Sequence, residues 1–524
     1  MFICVQLWLP SFRYPTIDAR RQAADIKEFS TKSRQSVTRT NSTSAGPSQF
    51  GPPQFGPPQF GPSRFVYWWR SEWGPGPLIR LALPLMISAG FVSVTLFTDR
   101  TLLYWQSETA ASAAMGAGTV YWSMICLPMG LLGYISTFVS QYRGAKQPTR
   151  IGVAYQHAML LAWMIVPLLL LAILMAGFLF TWAGHPPPLV AQEATYLRVL
   201  LIGGIGVLFY SVQGGLLTGQ GRTPTVLAID GLATIVNLIL DVVLIFGFGP
   251  IPELGILGAG LATTLSFWLK IPLASWIISR DQQLIGQYKV ATRVPWEADM
   301  FRRLFVYGTP VGLQLLAEAG CFSVIMLQVG RMGERAMAAT TLALGLNVLV
   351  FVPMIGLGIG VGVLVGQHLT EGRVDLARRT VSCALGVTTI YTGVFVLCLG
   401  LAPNAMLAFY AWGTPAERFD TMRPMLLPLL KIIAFYCVVD GLQVVFVGAI
   451  KGAGDTWFVL LATLAVSTGA VLTGLICQNY LGASLMLWWY IIAGWVASMG
   501  IVFATRYFSG SWETKRVIET STVP

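Results

Sequence analysis

The chain has 524 residues, of which 55% are hydrophobic and only 11% charged, with a mean hydropathy of +0.66. Soluble domains carry about 25% charged residues, and apolar runs this long and frequent exclude the set of soluble domains that such a length could hold. The net charge of +11 does not indicate a nucleic-acid binder: nine basic residues lie in the first 77 positions, and most others fall in short breaks between apolar runs.

Residues 1–74 differ from the rest. The segment "QFGPPQFGPPQFGPSRF" (49–65) repeats Gln, Phe, Gly and Pro every five residues after a Ser/Thr/Arg-rich stretch. That composition cannot build a core, so a disordered low-complexity tail is expected. "MFICVQLWLP" is too short to span a bilayer and lacks the basic start and cleavage site of a signal peptide. The tail reads as a dispensable extension or a misassigned start rather than as an interaction segment.

Twelve predicted spans follow, near 78–98, 114–138, 153–181, 190–216, 224–247, 256–279, 304–329, 338–366, 377–402, 424–449, 457–477 and 485–507. Each is long and apolar enough to cross a ~30 Å hydrocarbon core as a helix. The widest hydrophilic break, 280–303, divides them into an N-lobe (75–279) and a C-lobe (304–508), with a short tail at 509–524. Breaks after even-numbered spans carry Arg143, Lys146, Arg150, Arg222, Arg280, Lys289, Arg293, Arg302, Arg303, Arg373, Arg378, Arg379 and Lys451. Those after odd-numbered spans carry only Arg100, Arg331, Arg335, Arg418 and Arg423. The bias puts both termini and the 280–303 linker on the cytoplasmic side of a cell inner membrane.

The halves repeat each other. Pro84, Glu108, Ala110, Gly130 and Gln141 recur 226 residues later as Pro310, Glu334, Ala336, Gly356 and Gln367. "GLLTGQGRT" (215–223) returns as "GAIKGAGDT" (448–456), both fitting G-x-x-x-G-x-G-x-T at an offset of 233. Six spans is an even number, so both halves enter from one side. Their symmetry axis should run along the membrane normal, with a cavity between them.

Few polar residues lie deep in the spans. The N-lobe has Asp99 in the first span, Asp230, Thr234, Asn237 and Asp241 in the fifth, and Thr263 and Thr264 in the sixth. Positions 230, 234, 237 and 241 share one helix face. The C-lobe has Glu318 in the seventh span and Tyr436, Asp440 and Gln443 on one face of the tenth. A carboxylate at the bilayer centre costs about 2.5–3.5 kcal/mol on insertion scales, which makes Asp241, Glu318 and Asp440 functional candidates. Asp99 is placed either in this set or at the outer interface beside Arg100. Asp230, near the inner interface, is expected to be hydrated. Asn237 or Thr263 alone would pass for an interhelical hydrogen bond. Acids, an amide and hydroxyls are hard oxygen ligands, suited to an alkali ion or a proton. Six of the seven cysteines fall in spans and no C-x-x-C occurs, so neither a disulfide framework nor a thiolate metal site is expected. The scattered His157, His185 and His368 predict no histidine metal site.

Several segments resemble the multidrug and toxic compound extrusion (MATE) family. "PLIRLALPLMISAGFVSVTLFTD" (77–99) resembles its opening helix, which ends in an acid where Asp99 stands, and "FVSQYRGA" (138–145) its V-x-Q-x-x-G-A element. "NLILD" (237–241) resembles the N-lobe cation site of the archaeal-type branch, completed by a threonine one helix later. "YGTPVGLQLLAEAGCF" (307–322) and "FYCVVDGLQVVFVGAIKGAGD" (435–455) resemble helices seven and ten of the NorM-like branch. The resemblance covers about 75–508 and implies an all-α protein of two six-helix lobes. It further implies an antiporter that expels amphipathic, cationic organic compounds in exchange for Na⁺ or H⁺.

Asp99, Asn237, Asp241, Thr263, Glu318, Tyr436 and Asp440 are then the coupling residues, with Na⁺ on Asp99, Asn237 and Asp241 and the substrate cavity at Gln443 and Thr264. The chain departs from the family at Thr340 and Thr341, where NorM-like members often carry His-Gln, and in its membrane-embedded lysines. Lys431 is expected to snorkel outward. Lys270, seven residues after Thr263, would compete with a bound cation if it paired with Asp241.

The expected partners are the bilayer and small organic molecules, with no cofactor beyond the coupling ion and no nucleic acid, the chain acting as a monomer. Two alternatives compete. A lipid-linked oligosaccharide flippase of the same superfamily would be expected to have about fourteen spans and a basic cavity. An integral-membrane enzyme should show a motif such as H-E-x-x-H or G-x-S-x-G, and neither occurs.

Overall fold

A computed structural model describes residues 71–519 apart from 72, 293 and 402–415. The Gln-Phe-Gly-Pro repeat, and with it the expectation of disorder, lies outside the described residues. Among the described residues, twelve helices are long and apolar enough to cross a membrane. They are α1 (Gly76–Gln106), α2 (Glu108–Gly133, continued after Tyr134 by Ile135–Gly144), α3 (Pro148–Trp182), α4 (Pro187–Gly219), α5 (Thr223–Phe246) and α6 (Ile256–Arg280). The second half has α7 (Ala298–Gly330), α8 (Glu334–Thr370), α9 (Val374–Leu401), α10 (Ala416–Ala453), α11 (Thr456–Leu481) and α12 (Leu485–Phe508).

Local chemistry sets the helix ends. Prolines stand in the first two positions of α1, α3, α4 and α5, where the missing N–H costs nothing and φ is already helical. The Ser107 hydroxyl caps α2 by accepting from the Ala110 N–H. Gly247 and Gly482, at φ +79° and +82°, end α5 and α11 in a conformation that side chains disfavour.

Duplication shows in both boundaries and packing. α2 and α8 start at Glu108 and Glu334, 226 residues apart; α5 and α11 start at Thr223 and Thr456, 233 apart. α4 packs on α2, α3 and α6, as α10 packs on α8, α9 and α12. α1 packs on α5 and α5 on α6; α7 on α11 and α11 on α12. Across the lobes the pairing is exchanged: α1 lies against α8 and α7 against α2.

This exchanged seam explains the repeated glycines. A Cβ on Gly130 would sit 2.6 Å from the Gly312 Cα, and one on Gly356 2.5 Å from the Leu85 carbonyl carbon. Helices can approach this closely only over residues without side chains. The seam lies between mid-bundle and the end that holds the linker, here the linker end. Tyr134 OH donates to the Lys451 carbonyl at 2.6 Å and Gln141 Nε2 to the Gly452 carbonyl at 2.8 Å, again at that end. Among the described residues, the inter-lobe hydrogen bonds cluster there.

Residues 280–303 are docked on the bundle. Gln156 of α3 accepts from the Val294 N–H at 3.1 Å and donates to the Val290 carbonyl at 3.1 Å. The His157 ring accepts from the Glu297 N–H at 2.9 Å, which makes this histidine structural.

Candidate functional site

The N-lobe site forms where α1, α5 and α6 converge. Asp99, two turns before the end of α1, is 4% exposed; Asn237 and Asp241 on α5 are 1% and 0% exposed. Asp99 is therefore inside the lobe and not at the outer interface. Thr263 of α6 donates to Asp99 Oδ2 at 3.2 Å, and the Asp99 and Asp241 carboxyls lie close enough for direct side-chain contact. Asp99 Oδ1, both Asp241 oxygens and both polar atoms of Asn237 are buried with no hydrogen-bonding partner.

An isolated orphan of this kind costs free energy, and two carboxylates this close and this buried repel each other when both are charged. The set is hard oxygen throughout, apart from the amide nitrogen. It fits one small cation, or protons held between the acids. Among the described residues no group of three or more His, Cys, Asp or Glu gathers for a metal ion.

One expectation is corrected here. Asp230 is paired within the protein and not simply hydrated: it is 9% exposed, accepts from Ser88 of α1 and pairs with Lys270 Nζ at 2.9 Å. Lys270, whose ammonium also lies 5.0 Å from the Tyr210 ring centroid, is thus tied to Asp230 and not to Asp241. Eleven residues of helix separate the two acids by about 16 Å, beyond the reach of one lysine. Thr264, expected at the substrate cavity, donates to the Val199 carbonyl of α4 at 2.7 Å. Ser88, the third member of the Asp230 pair, gave no signal in the sequence, since a lone serine in a span is common.

The C-lobe set is more dispersed. Glu318 of α7 is half-buried and accepts from Gln314 Nε2, one turn earlier, at 2.8 Å. Asp440 and Tyr436 of α10 are buried, at 9% and 3% exposure. Gln443 is half-buried, with an unpartnered Oε1. Thr340 donates no signal of a substrate contact: its hydroxyl accepts from Trp489 Nε1 at 3.2 Å. Lys431 is exposed on the outside of α10, as snorkelling requires.

Twelve membrane-length helices in two lobes, related by a repeat and holding buried carboxylates in each, define a duplicated membrane transporter. The chain belongs to the MatE family, whose profile matches it twice, over residues 84–243 and 310–475, with starts 226 residues apart. A probable multidrug resistance protein NorM from Bradyrhizobium diazoefficiens is 29% identical over 386 residues, covering 72% of this chain and 81% of the relative. One of the same name from Deinococcus radiodurans is 28% identical over 432 residues, covering 80% and 91%. A solved MOP superfamily transporter from Pyrococcus furiosus superposes with a TM-score of 0.76 at 19% identity, covering 86% of this chain and 98% of that one. That likeness concerns the fold.

Proposed function

We propose that the chain is an antiporter that exports amphipathic, cationic organic compounds in exchange for Na⁺ or H⁺ by alternating access, with the N-lobe holding the ion. The observation carrying this reading is the cluster of unpartnered buried oxygens on Asp99, Asn237 and Asp241 beside the Thr263 hydroxyl. The NorM names of the relatives support the drug substrate. Asp99, Asn237, Asp241 and Thr263 would hold the ion, which supplies the positive charge that this pocket lacks.

The C-lobe acids, Glu318 and Asp440, would face the organic cation. The positive loop bias supports a cytoplasmic linker end, and a seam closed at that end would correspond to a chain poised to release outward. An ion can drive the cycle only by binding the two states unequally, and neutralising the acid pair in one state alone does that. Twelve spans among the described residues and acids in both lobes favour this over a lipid-linked oligosaccharide flippase.

The test is ethidium efflux from cells lacking their own pumps, with a Na⁺ gradient or a pH gradient imposed separately. Gradient-driven efflux lost in Asp241→Asn but retained in Glu318→Gln and Asp440→Asn is the expected result. Loss only in the C-lobe variants would move the ion there, and efflux indifferent to both gradients would end the antiporter reading.

A further inference from the structure

The segment after α12, expected to be a simple tail, is built into the junction of the lobes. Trp512 is 0% exposed and Val517 1%, although both follow the last span. Trp512 stacks on Tyr507 of α12 at 5.2 Å between ring centroids, and its Nε1 donates to the Tyr507 carbonyl at 2.9 Å. Glu513 accepts two hydrogen bonds from Arg378 of α9, at 2.8 and 2.9 Å, and Arg516 Nη2 donates to the Leu369 carbonyl at the end of α8 at 2.9 Å. These contacts fix the segment to the C-lobe.

Its far end reaches the N-lobe. The Val517 N–H donates to Oε1 of Gln141, at the end of α2, at 2.9 Å. The same glutamine, 0% exposed, spends its amide N–H groups on the Gly452 and Ala453 carbonyls of the C-lobe. Glu519 lies between Arg150 of α3 at 3.4 Å and Arg303 of α7 at 3.2 Å, one arginine from each lobe.

The repeated glycine motif makes the seat. Gly454, at φ +107°, leaves room that Val517 fills, and a Cβ there would lie 2.7 Å from Val517 Cγ1. At its counterpart in the first half, Gly221, a Cβ would instead lie 3.3 Å from the Arg143 guanidinium.

We propose that residues 509–519 are a latch, carried by the C-lobe, that clips onto Gln141 and Arg150 and holds the linker end closed. Separating the lobes there strips the Val517 N–H and Gln141 of each other and pulls Glu519 from one of its two arginines. Loss of these contacts tilts the balance toward the linker-open state by roughly fivefold, the size of about one net hydrogen bond. The inference rests on the alternating-access reading but not on which ion or compound is carried.

The test uses the full chain with its native cysteines replaced and spin labels at Thr149 and Asp375. Both positions are exposed at the linker end, one in each lobe, and pulsed dipolar spectroscopy reads the distance between them. Three variants are compared: a stop after Ser511, Val517→Pro, which removes both the N–H that Gln141 accepts and the side chain seated against Gly454, and Glu519→Lys. Each sample is first checked for monodispersity, and if the truncation does not fold the two point variants decide. The expected result is a longer-distance population enriched about fivefold in Val517→Pro and visibly in Glu519→Lys. Folded variants with the wild-type distribution, or with a lower melting temperature and no distance change, overturn the latch. If ethidium or Na⁺ shifts the distance while the variants do not, the latch fails and alternating access stands. If nothing shifts it, both fail.

Discussion

Two carboxylate stations lie on one face of α5, and they are built in opposite ways. Asp230, nearer the linker end, has a lysine, a serine and two aromatic rings around that lysine. Asp241, three turns on, faces another acid and an amide and has no hydrogen-bond partner at either oxygen. A satisfied pair stitches α1, α5 and α6 together; an unsatisfied one waits for something that the protein does not contain. Depth in the membrane therefore does not by itself separate the two acids. Their partners do.

That difference predicts opposite signs on stability. Lys270→Met leaves Asp230 charged with only the Ser88 hydroxyl beside it, and removing one partner of a buried pair costs about 3–5 kcal/mol. Because both side chains keep some solvent contact, 16% and 13%, about 2–4 kcal/mol is expected after screening. Thermal unfolding in detergent should show a clear drop, and adding Asp230→Asn to the lysine variant should recover most of it. A double variant as unstable as the single would mean that packing, not charge, was lost.

Asp241→Asn should do the reverse. Gradient-driven efflux should fall at least tenfold, while the melting temperature holds or rises by the equivalent of about 1 kcal/mol, because a buried unpaired charge has gone. A less stable Asp241→Asn protein would contradict the contrast drawn here.

Thr263→Val removes the one neutral donor to Asp99 and keeps the side-chain volume. The apparent affinity for the driving ion should weaken by roughly threefold to tenfold, the value of about one hydrogen bond to a charged group or less. It is read from the ion concentration that gives half-maximal efflux. Glu318→Gln sits at the small end for ion dependence. With Gln314 still able to bond the new amide, that half-maximal concentration should move less than about twofold, whereas the range of compounds exported should change.

The helices were legible because hydropathy reports them directly: 153–181 against Pro148–Trp182 and 485–507 against Leu485–Phe508 differ by five residues at one end and by one or none at the others. The shared face of residues 230, 237 and 241 follows from helical spacing alone. What spacing could not give is depth. α5 and α6 run antiparallel, so moving forward from Thr263 to Lys270 means moving back along α5, from Asp241 towards Asp230. A one-helix periodicity puts Lys270 on the right face but at the wrong height. Thr263 and Thr264 part company for a related reason, since adjacent residues on a helix point about 100° apart, so Thr263 bonds Asp99 of α1 while Thr264 bonds Val199 of α4. The segment 509–519 left no trace because Trp512, Val517 and Ile518 fit neither a helical nor a strand period.

The exchanged seam, α1 on α8 and α7 on α2, has an ancestral implication. A single six-span half would expose the faces of its first and second spans, and each would match the other face on a second copy in the same orientation. Two copies would close around a two-fold axis into a self-complementary pair. The present chain is in that sense a dimer with its subunits joined by residues 280–303, free to let the two copies diverge. The divergence is visible: the half with Lys270 shields one of its acids, while the half with the latch carries the clasp.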